Sequence, residues 1–127
     1  MPPATDTRAP VPAGYHSVTP YLIVEGAAEL MNFMRLVLDA EERVSFKDPE
    51  GRVEHAEVRI GDSTIMLTES STVHFPPVPS QLYVYVTGVD MVYDRAIAAG
   101  GTSVQKPTDQ VDGDRTACVR DPTGNVW

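Results

Sequence analysis

Cysteine is nearly absent: Cys118 is the only one in 127 residues. An internal disulfide is therefore impossible, and a small secreted fold stapled by disulfides is excluded. Long apolar runs are missing too. The N-terminus has no apolar stretch resembling a signal-peptide core, and the run Tyr21-Leu22-Ile23-Val24, stopped by Glu25, is far too short to span a bilayer. Positive charge is scarce, with 10 basic residues against 18 acidic ones and a formal net charge of -8. Such a chain repels phosphate backbones and anionic lipid. This argues against a nucleic-acid or membrane partner and for a small-molecule ligand, cationic or aromatic. A cytoplasmic protein is the expectation.

What is present fits one ordinary globular domain: 42% of residues are hydrophobic and 22% charged. Residues 1–14 hold Pro2, Pro3, Pro10 and Pro12, a composition that removes backbone donors and favours a flexible arm, one expected to pack on a partner subunit. Regular patterning begins at Ser17. Val18–Val24 reads as a strand. Gly26–Leu38 places Ala27, Leu30, Phe33, Met34, Val37 and Leu38 on one helical stripe. Strands follow at Glu41–Phe46, Arg52–Ile60 and, after the tight turn Gly61-Asp62, at Ser63–Thr68.

A connector with Pro76, Pro77 and Pro79 divides this unit, about 15–70, from a second at about 81–127. The second unit repeats the order: a strand at Gln81–Val86, a helix at Val89–Ala99 stopped by Gly100-Gly101, then strands near Thr102–Lys106, Arg115–Arg120 and from Val126. An offset of 62 matches Tyr21 with Tyr83, Val24 with Val86 and Gly26 with Gly88. A gap-free match of that length predicts a duplicated βαβββ module.

Three segments carry a resemblance: Thr19-Pro20-Tyr21-Leu22-Ile23-Val24, His55-Ala56-Glu57-Val58-Arg59-Ile60-Gly61-Asp62-Ser63 and Arg120-Asp121-Pro122-Thr123-Gly124-Asn125-Val126-Trp127. In that order, inside a duplicated unit, they resemble the glyoxalase/bleomycin-resistance/dioxygenase group, the vicinal oxygen chelate superfamily. The resemblance covers about residues 15–127. It implies an α+β fold of two tandem βαβββ modules whose mixed sheet curls into a cup, in a homodimer, with helices on the convex side and ligand or metal on the concave side.

The Gly61-Asp62 turn assigns the strand faces. If Ile60 pairs with Ser63, then Val58 faces Ile65 and Ala56 faces Leu67, an apolar set that belongs against the helix stripe. The opposite, cup-side set then pairs Arg59 with Thr64, Glu57 with Met66 and His55 with Thr68. Carried through the repeat, the same phase puts Gln81, Tyr83, Tyr85, Arg115, Ala117 and Val119 on the cup side. Cys118 then falls on the helix side as a small buried hydrophobe.

The resemblance places the superfamily's four metal positions on Thr19, Met66, Gln81 and the residue after Trp127. Hydroxyl, thioether and amide groups are poor substitutes for imidazole and carboxylate, so no metal site and no cofactor are expected. His55 and Glu57, two apart on one strand face, keep a displaced metal or catalytic role open. The plainer reading is a hydrogen-bonded set with Arg59. His16 and His74 read as exposed loop residues. Gly113-Asp114-Arg115 reads either as a gate at the mouth of the second half or as a turn with a solvated salt bridge.

The expected ligand-binding residues are His55, Glu57, Arg59, Met66, Thr68, Tyr21, Gln81, Tyr83, Tyr85 and Arg115. Tyr21, Tyr83, Tyr85 and Met66 would supply an aromatic lining suited to flat ligands or cations. The expected function is metal-independent small-molecule binding in the cleft. Two alternatives stay open: a metal-dependent lyase, isomerase or dioxygenase, and a dimeric interaction module. Strands usually run about five or six residues, so a strand that starts at Val126 predicts that 127 residues is a truncated or partly observed length.

Overall fold

The structure is a computed structural model that describes residues 8–71 and 74–127. Pro2 and Pro3 of the expected arm lie outside the described residues. The first module runs β1 (Tyr21–Val24), α1 (Ala27–Leu38), β2 (Glu41–Lys47), β3 (Val53–Ile60) and β4 (Ser63–Glu69). Its four strands form one sheet in the order β1-β4-β3-β2. The pairing of β1 with β4 is parallel and the others are antiparallel. The second module supplies α2 (Val89–Ala98), β5 (Thr102–Asp109) and β6 (Arg115–Arg120). This is the α+β architecture the sequence predicts, with a mixed sheet and two helices.

The apolar stripe of α1 explains why the first module holds together. Leu30, Phe33 and Met34 are fully buried, and the predicted helix-side set of Ala56, Val58, Ile65 and Leu67 packs with Leu22 and Val24 in the same core. Burying each large side chain contributes roughly 1.5–3 kcal/mol. Neither helix has a side-chain N-cap of its own. In α1 the orphan N–H groups of Gly26 and Ala27 donate instead to the Glu69 carboxylate, at 2.8 and 3.0 Å. Gly26 sits at φ 101° to bring them there, so the end of β4 anchors the start of α1.

The repeat is real but not gap-free. Tyr21 pairs with Met66 and Gln81 with Val126, the same separation of 45 residues in both halves. Between these anchors the offset drops to 61. Glu41 opposite Arg59 in the first half becomes Thr102 opposite Arg120 in the second, and the bulge between Glu42 and Val44 recurs between Ser103 and Gln105. One residue is lost after α2 and one regained in the last hairpin. There Asp121 N–H donates to Asn125 O at 2.8 Å around Pro122-Thr123-Gly124, with Gly124 at φ 99°. The first half turns on Gly61-Asp62 alone, between Ile60 and Ser63.

A one-residue slip flips every side chain of a strand. Val119, predicted on the cup side, is 5% exposed and packs with Phe33, Val37 and Ala96 between the helices. By alternation Arg115 and Ala117 share that side, and Cys118 faces the cup, partly exposed. Both assignments correct the sequence reading.

The strand expected over Gln81–Val86 is a second correction. Gln81 forms one parallel bridge with Val126, and Leu82 N–H donates to Val126 O at 2.9 Å. Among the described residues the bridge is isolated, and no ladder extends over 82–86. Trp127 packs against both core clusters, with its Nε1–H donating to Asp121 at 2.6 Å.

Candidate functional site

Cross-strand register builds the concave face of the first module. Tyr21 stands opposite Met66, Met66 opposite Glu57, and Glu57 opposite Val44. One row thus crosses all four strands. In the next row Ile23 stands opposite Thr68 and His55 opposite Phe46. Directly opposed side chains lie about 4.5–5.5 Å apart, so Glu57 and His55 form a polar centre with Tyr21 on one flank and Phe46 on the other. Both aromatic rings are solvent-accessible, 47% and 61% exposed.

Glu57 is the unusual member, a carboxylate only 7% exposed. His55 Nε2 lies 2.8 Å from its Oε2, and the Tyr15 hydroxyl donates to its Oε1. A carboxylate can only accept here, so His55 carries its proton on Nε2. Burial pushes the Glu57 carboxyl upward, but the hydrogen bonds from Tyr15 and His55 and the attraction of His55 outweigh it and hold the group below its ordinary value. Tyr15 is shifted the other way. The same hydrogen bond to Glu57, burial and the nearby negative charge raise its phenol and keep it a donor. The Tyr21 and His55 rings sit 5.9 Å apart, tilted by 33°.

The other predicted residues are placed less centrally. Arg59 does not join His55 and Glu57; its Nε–H donates to Gly61 O at 3.2 Å, within its own hairpin. Thr68 spends its hydroxyl on Glu54 O at 2.7 Å. Arg115 sits on the helix side, where it donates to both oxygens of Asp90 at 2.7 and 3.0 Å and to Asp109 at 2.9 Å. The slipped phase of β6 is the reason it leaves the cup. Tyr83 and Tyr85 form a pair with centroids 5.3 Å apart. They line an open cleft of about 910 Å³ together with Thr19, Tyr21, Gln81 and Trp127. Neither His55 nor Glu57 borders that cleft. Its ion pair, Arg95 with Asp39 at 3.7 Å, is exposed, so this cleft lacks the buried charge that marks the Glu57 centre.

Two site residues were not among those expected. Tyr15 lies outside any periodic segment, and its contact spans 42 residues. Phe46 was legible in principle, because it is an aromatic in β2 whose face follows once its register with His55 is known.

Of the metal positions that the resemblance assigns, the three within the sequence carry hydroxyl, thioether and amide groups, which are poor metal donors. These are Thr19, Met66 and Gln81, and His55 and Glu57 offer two donors already bonded to each other. Among the described residues no three His, Cys, Asp or Glu side chains converge. Among the same residues, no helix is long and apolar enough to cross a membrane.

Comparison with known proteins places this geometry. Residues 14–127 match the family model described as Glyoxalase/Bleomycin resistance protein/Dioxygenase superfamily. An uncharacterised protein of Mycobacterium bovis is 32% identical over 121 residues, covering 87% of this chain and 80% of its own. A counterpart from Mycobacterium tuberculosis is also 32% identical, with 71% of its length covered. Among solved structures, TioX from Micromonospora superposes with TM-score 0.72 at 23% identity, covering 86% of this chain and 92% of that one. The fosfomycin resistance protein FosX of Listeria monocytogenes superposes with TM-score 0.61 at 20% identity, covering 85% and 82%. The duplicated module, the mixed sheet and the family match lead to one conclusion: the chain belongs to the Glyoxalase/Bleomycin resistance protein/Dioxygenase superfamily.

Proposed function

We propose that this protein binds a small molecule on the concave face of its first module, independently of the metal used elsewhere in the superfamily. The ligand carries a positive charge or a strong hydrogen-bond donor on a flat apolar body. One observation carries the reading: a buried, ionised Glu57 at the centre of a face flanked by the accessible rings of Tyr21 and Phe46. A buried carboxylate needs partners, and a ligand cation there gains the charge of Glu57 and the faces of the two rings. The FosX structure, with which this chain shares the fold, was solved with manganese and a phosphonic acid. The donor set here suits an organic cation better than a metal ion.

Isothermal titration with benzylamine tests this. Saturable binding that weakens at least about tenfold in Glu57→Gln is the expected result, since a hydrogen bond to a charged group contributes about 1.5–3 kcal/mol. Absence of saturable binding, or equal affinity in both proteins, would overturn it.

A further inference from the structure

The segment preceding β1 crosses the concave face and places a phenol on Glu57. Around Tyr15, residues 12–16 touch the rest of the domain through polar contacts. Besides the Tyr15 hydroxyl, the Thr64 hydroxyl donates to Gly14 O at 3.4 Å, His16 Nε2 lies 3.1 Å from Asp62 O, and Tyr15 N–H closes a turn on Pro12 O at 3.1 Å. Among the described residues of this strap, none enters either core cluster. Segments with few buried apolar contacts open at low free energy, whereas the Glu57 end of the contact sits on a strand in the middle of the sheet.

We propose that Tyr15 is an internal occupant of the ligand site, and that the ligand class displacing it is a para-substituted phenol whose hydroxyl takes over the bond to Glu57. The inference rests on the concave-face reading above and names its ligand more closely. Tyr15 is itself a para-substituted phenol, so the bond it makes shows what this carboxylate accepts. The neutral phenol donates to an ionised Glu57, and this bond raises the phenol and lowers the carboxyl. An external phenol makes the same bond, with its ring beside Tyr21 and Phe46. It must first expel the strap, so the observed affinity is the intrinsic one multiplied by the fraction of molecules with Tyr15 released.

Titration of wild type, Tyr15→Phe, Tyr15→Ala and Glu57→Gln with 4-methylphenol, toluene and benzylamine tests the proposal. If the strap is closed about nine-tenths of the time, removing Tyr15 tightens 4-methylphenol about tenfold. Both Tyr15 variants should show this gain, Glu57→Gln should weaken 4-methylphenol at least about tenfold, and toluene should not bind. Unchanged or weaker affinity in both Tyr15 variants would make Tyr15 a wall of the site and overturn the proposal, as would toluene binding as well as 4-methylphenol. If benzylamine binds and 4-methylphenol does not, this inference fails and the concave-face reading stands. If neither binds, both fail.

Discussion

Replacing Glu57 by glutamine removes a charge while preserving shape, which separates the carboxylate's electrostatic role from its packing. The glutamine oxygen can still accept from Tyr15, but its amide nitrogen can only donate to His55, which demands the other imidazole tautomer, and both bonds lose the carboxylate charge. Such a bond contributes about 1.5–3 kcal/mol, and relief of the buried charge offsets part of it, leaving an expected loss of about 1–2 kcal/mol at pH 7. With an unfolding entropy of roughly 2.1 cal/mol/K per residue over 127 residues, that lowers Tm by about 4–7 °C.

The pH dependence is more diagnostic. Because folding depresses the Glu57 pKa below its ordinary 4.5, its contribution is complete above that value and disappears as pH falls through the folded pKa. Calorimetric melts from pH 7 to pH 3 should therefore show wild type and Glu57→Gln converging in acid. A difference that stays constant to pH 3, or widens, would refute the reasoning.

Three further outcomes follow from the packing. At Gly101 an added Cβ would lie 2.5 Å from Val119 Cγ1 and 2.7 Å from Ala96 O, so Gly101→Ala should cost about 1–3 kcal/mol and lower Tm by about 4–11 °C; an unchanged Tm would contradict the close approach of α2 and β6. Arg115→Ala should leave benzylamine affinity unchanged and lower Tm by only a few degrees, less at high salt, because the Arg115 ion pairs are exposed and lie on the helix side. Weakened ligand binding would return Arg115 to the cup. Cys118 should react with a thiol reagent in the folded protein, whereas reaction only on global unfolding would restore it to the helix side.

Much of the fold was legible from local chemistry. The turn at Gly61-Asp62 fixed the pairing of β3 with β4, and alternation from that point placed Glu57 and His55 on the concave face and Val58 and Ala56 in the core. The same logic failed in β6 because the residue lost after α2 is regained in the Asp121–Asn125 hairpin. The two changes cancel over the whole repeat, and the ends still align at 62. Only the ladder reveals the slip, through Val119 N–H donating to Trp127 O at 2.9 Å. Tyr15 was hidden for a different reason, since a contact with Glu57 made by an aperiodic strap leaves no spacing to read. Arg59 misled because its place two residues beyond Glu57 implied a shared network, whereas a long guanidinium beside a turn finds the turn carbonyl first.

The central claim is that the concave face around Glu57 holds the ligand. Backbone amide shifts followed by NMR during a benzylamine titration test it most directly. Saturable shifts grouped at Tyr21, Val44, Phe46, His55, Glu57 and Met66 are the predicted result. Shifts confined to the Tyr83 and Tyr85 cleft, or no saturable shifts at all, would contradict it.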